Sequence, residues 1–470
     1  MAEAQHRTTG EYEREPVPEE GRLGLKSYVG QFAGEHVAGT ELMIGPLFIA
    51  GGVSAFDMLF GLLLGNILAV LSWTLLTAPI ATRARMTLYY QLEKICGRRL
   101  VTVYNVANGV MFSFLAGAMI TVSTTALGVW FRFRMPGLND LLPNSWGWVL
   151  GVLVMGLLFS LIAALGYKSV ARFANIAVPW MVVIFIAFGI IGLHELGMKS
   201  PGEFWNLAQE VIWKGGDPLD GQTKFTFWHT MFFAWFCNMA WHIGMADLTL
   251  FRFARKSWYG LASAAGMFVG HYMAWITASI LFALQLHENP ANTAVLPGPL
   301  AFRACGIAGL LCVIAAGWTT ANPTLYRAGL AFQAIIPRSS RFWVTFAVGL
   351  TASLTAIFPL VTMRLLDFVA LWGMILMPMG AVVFVDFWVV DRLGMQKYYC
   401  EATGRSVNWA AGLSWLVTVA ASALLVLRGN IQIYFVGLPG WFLASLLYLL
   451  LSLAMQRKSR PGGRPSEGIG

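Results

Sequence analysis

The sequence predicts an all-α integral membrane protein of twelve transmembrane helices, and three observations carry that prediction. Apolar runs of roughly 18 to 25 residues recur from end to end, the length a helix needs to cross a bilayer. Of the 470 residues, 57% are hydrophobic and only 12% are charged, about half the charged share usual in soluble domains. The lysines and arginines are also unequally divided between the two sides of the runs, 24 against 8 of the 32 present.

Taken in order, the runs are 27–50, 56–80, 101–128, 146–166, 173–193, 226–250, 260–285, 301–326, 342–362, 366–390, 409–427 and 431–455. Backbone polar groups in lipid must be satisfied within the segment, so these runs read as helices; they are too long for barrel strands. The basic side contains the 81–99 link ATRARMTLYYQLEKICGRR and the C-terminal QRKSRPGGR, and the positive-inside rule makes it cytoplasmic, with both termini there. Residues 1–26 form a polar, acid-rich tail that does not read as a signal peptide and is expected to be disordered; residues 456–470 form a second cytoplasmic tail. The longest outer link, 194–225, separates five spans (27–193) from five more (226–390), and 391–455 adds two further helices. No link holds a soluble domain, so function must reside in the helical bundle.

Composition also excludes classes. The net charge of +9 is spread singly and in small groups between spans, so no nucleic-acid partner is expected. Cys96, Cys237, Cys305, Cys312 and Cys400 form no CxxC pair, so neither a zinc site nor a disulfide framework is indicated. No HExxH, GxSxG or phosphate-binding glycine loop is present, so an enzyme is not expected and no catalytic residue or cofactor is assigned. A membrane-embedded enzyme or a channel stands as the alternative of a different class.

Three spans carry polar residues that lipid alone would not select. In SYVGQFAGEHVAGTELMIGPLFIAGG (27–52), Glu35, His36 and Glu41 fall among apolar residues, and Gly39–Thr40–Glu41 is a poor continuous helix. A break there would free backbone groups for a solute at membrane depth. Glu41 reads as a solute or proton ligand, with a structural hydrogen bond as its alternative; Glu35 and His36, nearer the end of the span, read equally well as gate residues. Five spans later, FFAWFCNMAWHIGMADLTLFRFARK (232–256) repeats the pattern with Asn238, His242, Gly244 and Asp247. His242 could pair with Glu41 or Asp247, and Asp247 could instead pair with Arg252 or Arg255 at a gate. In GWTTANPTLYRAGLAF (317–332), Thr319 and Thr320 offer adjacent hydroxyls and Asn322 an amide, while Pro323 frees a carbonyl; hard oxygens of this kind suit sodium. Asn66, within GLLLGNIL, can bridge helices.

FDMLFGLLLGNILAVLSWTLL (56–76), WTTANPTLYRAGLAF (318–332) and VVFVDFWVVDR (382–392) resemble the second, eighth and tenth helices of the nucleobase–cation symporter family, the bacterial cytosine and purine permeases with their allantoin and hydantoin relatives. The resemblance covers nearly the whole chain. It implies a 5+5 inverted repeat of LeuT-like type, with helices one and six broken and two additional C-terminal helices, in a bacterial inner membrane. It implies a secondary transporter importing a nucleobase (cytosine, a purine or uracil) or a related small planar heterocycle, driven by H+ or Na+. Transporters of amino acids, allantoin, hydantoins or thiamine remain alternatives. The family register places Phe112, in VANGVMFSFLAGAM (106–119), and Trp241 as the aromatic platforms that stack on substrate, with Asn322 and Glu41 as polar contacts. The coupling ion falls to Gly39, Glu41, His242, Asp247, Thr319 and Thr320. Proton coupling is favoured over sodium because Glu41, His242 and Asp247 can titrate. Ala116 and Ala321 stand where the family often has a glutamine and an asparagine, and helix six reads MADLTLFRFARK in place of the family ending; the site is therefore not a copy of a cytosine site.

Overall fold

A computed structural model describes residues 11–137, 140–360 and 364–458. Among them, the regular structure is helical apart from two isolated bridges, Leu23–Ala254 and Ser54–Lys214. Residues 1–10 of the predicted N-terminal tail, 459–470 of the C-terminal tail and 361–362 of the ninth predicted span lie outside the described residues.

The first predicted span is two helices, α1 (Leu25–His36) and α2 (Glu41–Ala50). There follow α3 (Ala55–Ala84), α4 (Leu88–Cys96), α5 (Arg98–Phe131), α6 (Trp146–Ala164) and α7 (Tyr167–Glu195). The second set begins with α8 (Phe227–Phe236) and continues through α9 (Ser257–Glu288), α10 (Pro297–Ile335), α11 (Arg341–Ala356) and α12 (Val369–Leu393). The last two are α13 (Trp409–Gly429) and α14 (Ile433–Lys458). Among the described residues nine helices are long and apolar enough to cross a membrane, rather than twelve. Two of the other predicted spans, 27–50 and 226–250, are broken into shorter pieces, and α11 has only 16 residues.

Packing follows the two sets of five. The third helix of each set, α5 and α10, lie against one another, as do the fourth pair, α6 and α11. The half-helix α2 packs on α9 and α8 packs on α3, while α13 and α12 both pack on α14. The α2–α9 approach requires a glycine: a Cβ on Gly45 would lie 2.6 Å from the Trp275 carbonyl oxygen. Ser279 Oγ donates to the Gly45 carbonyl at 2.7 Å in the same contact. Outside the bundle, Trp146, Ile176, Val183, Leu416 and Leu427 are exposed, Leu427 by 80%. A soluble surface rarely carries so continuous an apolar coat.

The 194–225 link folds onto the α2–α3 corner, where Leu219 and Phe225 donate their amides to the Ala50 and Gly51 carbonyls. The described part of the N-terminal tail is ordered rather than disordered. Val17 is fully buried and donates its amide to Arg85 O at 2.9 Å, and Leu23 donates to Phe253 O at 2.6 Å. Glu11 is 4% exposed; its carboxylate accepts from the Tyr167 amide (3.0 Å) and the Tyr326 hydroxyl (2.5 Å). The acid-rich composition suggests solvation, but the segment's charged side chains find partners on the bundle: Arg14 donates to Glu93, and Arg85 reaches Glu19.

Candidate functional site

Both broken passes contribute residues beside their breaks to one cavity. In the first, α1 ends at His36 and α2 starts at Glu41, leaving the 37–40 stretch VAGT as a break between them, as the glycine and threonine lead one to expect. In the second, α8 stops at Phe236, single turns follow at Met239–His242 and Leu248–Phe251, and Met245 between them takes the left-handed conformation at φ 63°. The ends of these segments bring carboxylates into the centre of the bundle.

Arg327 organises one side of that centre. Its guanidinium is fully buried and pairs with Glu35 from α1 and with Asp247 from the second broken pass, so one cation ties together three segments. It donates to Glu35 Oε1 and, at 3.1 Å, to Glu35 Oε2. The remaining acceptor positions are also occupied: Trp241 Nε1 donates to Glu35 at 3.2 Å and Trp73 Nε1 to Asp247 at 2.6 Å. Buried ion pairs persist only where such additional bonds satisfy the charges.

A second group lies beside it. Glu41 accepts from Trp275 Nε1, and His271 Nε2 is 3.9 Å from its other oxygen. The His271 ring stacks on Trp275 at 4.3 Å and meets His36 edge-on at 4.8 Å, but its Nδ1 has no hydrogen-bond partner. His36 Nδ1 lies 2.8 Å from the Phe32 carbonyl, a contact that requires the proton on that nitrogen. Between the two groups is a cavity of about 60 Å³, lined by Glu35, His36, Glu41, Trp241, His271 and Thr320, with Thr40, Asn238, Cys237 and apolar side chains completing it.

The residues singled out in the sequence distribute unevenly around this cavity. Glu35, His36, Glu41, Trp241 and Thr320 line it; Gly39, Asn66, Phe112, His242, Asp247, Thr319 and Asn322 do not. Phe112 and Trp241 touch edge to face, at 5.5 Å and 83°, and the Arg327 guanidinium lies 5.7 Å from the first ring and 5.8 Å from the second. In this conformation they do not form an open slot for a third ring. His242 pairs with neither Glu41 nor Asp247: its Nε2 meets the Trp235 carbonyl at 2.9 Å. Asp247 pairs with Arg327 in place of Arg252 or Arg255, because Arg252 turns to Tyr12 O and Tyr326. Asn66 and Asn322 are fully buried with both amide atoms unpartnered.

Thr320 Oγ1 lies 2.9 Å from Glu35 O and 3.0 Å from Ala316 O, and Thr319 Oγ1 lies 3.2 Å from Ala316 O. These hydroxyls and carbonyls form a cluster of hard oxygens at the end of α1. Among the described residues no group of three His, Cys, Asp or Glu side chains could hold a metal ion.

Arg327, His271, Trp275 and Trp73 were not anticipated. A signal existed for the first two: each is an ionisable residue inside an apolar run, which is reason enough to suspect function. Nothing in the sequence indicated which carboxylate each would meet.

No family model and no curated protein matches the chain. Solved structures do. The nucleobase-cation-symport-1 family transporter Mhp1, in a closed conformation with bromovinylhydantoin bound, aligns over 95% of both chains at a TM-score of 0.73 and 16% identity. Mhp1 in an inward-facing conformation aligns over 93% of this chain and 92% of its own, at 0.68 and 16%. A Na+-coupled sialic acid symporter in a substrate-bound outward-open state aligns over 97% of this chain and 94% of its own, at 0.66 and 16%. At that identity the likeness speaks for the fold: the chain has the all-α, inverted-repeat membrane architecture of these transporters, which is LeuT-like.

Proposed function

We propose that the chain is a secondary active transporter that carries a small planar heterocycle, a nucleobase or a related compound, by alternating access around the central cavity. The observation that carries the reading is the cavity at the junction of two broken passes, where ionisable and aromatic side chains converge inside the membrane. The fold shared with solute symporters supports it, and so does Trp241, an aromatic wall with an indole N–H already committed to Glu35. Asn322, with a buried and unsatisfied amide one turn from Thr319, is the polar group we assign to the heterocycle when the bundle rearranges.

The transport is coupled to a cation, and we favour H+. Among the described residues Glu41 has one neutral donor and no ion-pair partner except an imidazole at 3.9 Å, so a proton is a natural occupant. The Thr319–Thr320 oxygen cluster supports Na+ as the competing choice. Uptake of labelled cytosine into proteoliposomes, with pH and sodium gradients imposed separately and purines, uracil, hydantoins and amino acids as competitors, tests the proposal. Accumulation against a gradient, abolished by one or more of these competitors, is expected. Release of a chemically changed product, or no gradient-driven movement of any tested solute, overturns it.

A further inference from the structure

The charges at the centre of the bundle do not balance. Glu35, Glu41 and Asp247 are each no more than 5% exposed, and the only guanidinium among them, that of Arg327, is committed to Glu35 and Asp247. Three carboxylates thus face one fixed cation. The Arg252–Glu11 pair nearer the N-terminal segment is self-contained and contributes nothing to this account.

The excess is not spread evenly. Glu35 shares both of its oxygens with Arg327 and has further donors in Trp241 and Gln31. Asp247 has Arg327 and Trp73. Glu41 has the Trp275 indole alone, with His271 beyond hydrogen-bond reach at 3.9 Å. An ionised carboxylate so placed is costly to bury unless a cation joins it.

The cavity wall is built to accept that cation. Its lining contains Glu35 and Glu41 but no lysine or arginine, and Trp241 supplies an aromatic surface, which attracts cations through its quadrupole. His271, 2% exposed, lines the same cavity; its Nδ1 has no hydrogen-bond partner, and a neutral imidazole keeps one nitrogen that can accept a hydrogen bond from an N–H donor.

We propose that the solute carried by this protein is itself cationic: a small ring bearing a protonated amine or amidine, whose positive end sits against Glu41 while its N–H groups meet His271. This rests on the transporter reading and narrows its substrate class. A neutral nucleobase leaves Glu41 without a partner, and an anion would face two carboxylates, so both are disfavoured relative to the cation. When the site is empty, the same carboxyl is the place for a proton. Proton and solute then compete for one group, so that the coupling takes the form of an exchange of H+ for the cation, and affinity for the cation falls as the medium is made more acid. Glu35, His36, Cys237 and His271 are the titratable groups that line the cavity with Glu41.

The test uses three planar probes of similar size with the purified full-length chain: 4-aminopyridine, cationic at neutral pH; cytosine, neutral; and isonicotinate, anionic. Binding is measured by thermal stabilisation and by displacement of labelled 4-aminopyridine, and movement in proteoliposomes. The expected result is that 4-aminopyridine binds at least about tenfold more tightly than cytosine, that isonicotinate does not bind, and that Glu41→Gln removes most of the preference for 4-aminopyridine over cytosine. Tighter binding of cytosine than of 4-aminopyridine to the wild-type chain overturns the inference while leaving the transporter reading standing. Failure of all three, and of the wider panel, to be moved refutes the transporter reading instead. The wild-type comparison does not depend on the variant folding. If Glu41→Gln binds 4-aminopyridine as tightly as the wild type, the assignment of the cation to Glu41 is wrong.

Discussion

Replacing Arg327 with methionine isolates the contribution of the central ion-pair network. The side chain is fully buried, and its guanidinium forms the only ionic link between α1, α10 and the second broken pass that involves Glu35 and Asp247. The substitution keeps comparable apolar bulk but leaves two carboxylates, 5% and 0% exposed, without a cation. Removing one partner of a buried ion pair costs about 3–5 kcal/mol, most of it the penalty on the charge left behind. The network here leaves two such charges, so we expect at least the upper part of that range unless one carboxyl takes up a proton. Arg327→Lys keeps the charge but loses the planar fork that spans Glu35 and Asp247, and should fall between wild type and Arg327→Met. The decisive comparison is the triple variant Arg327→Met, Glu35→Gln, Asp247→Asn. With the charges removed together, most of the lost stability should return, although solute transport need not. Thermal and denaturing-detergent unfolding of the four purified proteins, followed by tryptophan fluorescence, reads the order. If Arg327→Met loses less than about 1 kcal/mol, or the triple variant is no more stable than the single, the network does not hold the three segments together.

Other predictions address separate features of the structure. Trp241→Ala removes a wall of the cavity and the indole bond to Glu35, and should weaken solute binding several-fold in a folded protein; unchanged affinity for every solute tested removes Trp241 from the site. Glu11→Ala deprives the Tyr167 amide and Tyr326 hydroxyl of their acceptor, at a cost of about 1–3 kcal/mol. Hydrogen exchange at the Val17 and Leu23 amides should then speed up, whereas unchanged protection would mean that Glu11 does not anchor the N-terminal segment. Gly45→Val places side-chain atoms against the Trp275 carbonyl and Ala278 and should lower the melting temperature, while a wild-type value would contradict the close α2–α9 approach. For orientation, single cysteines in 194–225 should label from outside and those in 81–99 from the cytoplasm; labelling of both links from the same side refutes the assignment.

Several features of this protein followed from the chain alone, because they depend on local composition. A bilayer selects for apolar length, so helical spans and their approximate positions could be read directly. The interruptions at Gly39–Thr40 and around Gly244 were equally legible, since glycine and threonine weaken a helix wherever they sit; the structure places breaks at 37–40 and at 243–247. Partnership was not legible. Arg327 stands among apolar neighbours on α10, 80 residues from Asp247 and 292 from Glu35, and no local pattern specifies a contact across that separation. The same holds for Glu41 and Trp275, and for Glu11, which reads as part of a solvated acidic tail until Tyr167 and Tyr326 are seen to receive it. The family register makes Phe112 and Trp241 two platforms for a substrate ring, yet their edge-to-face contact beside a guanidinium depends on how α5, α10 and the second broken pass converge. Sequence determined which residues are costly to place in lipid. Only the tertiary structure decided which of them offset one another, because a buried charge is stabilised by whatever lies within a few ångströms in space, however distant in the chain.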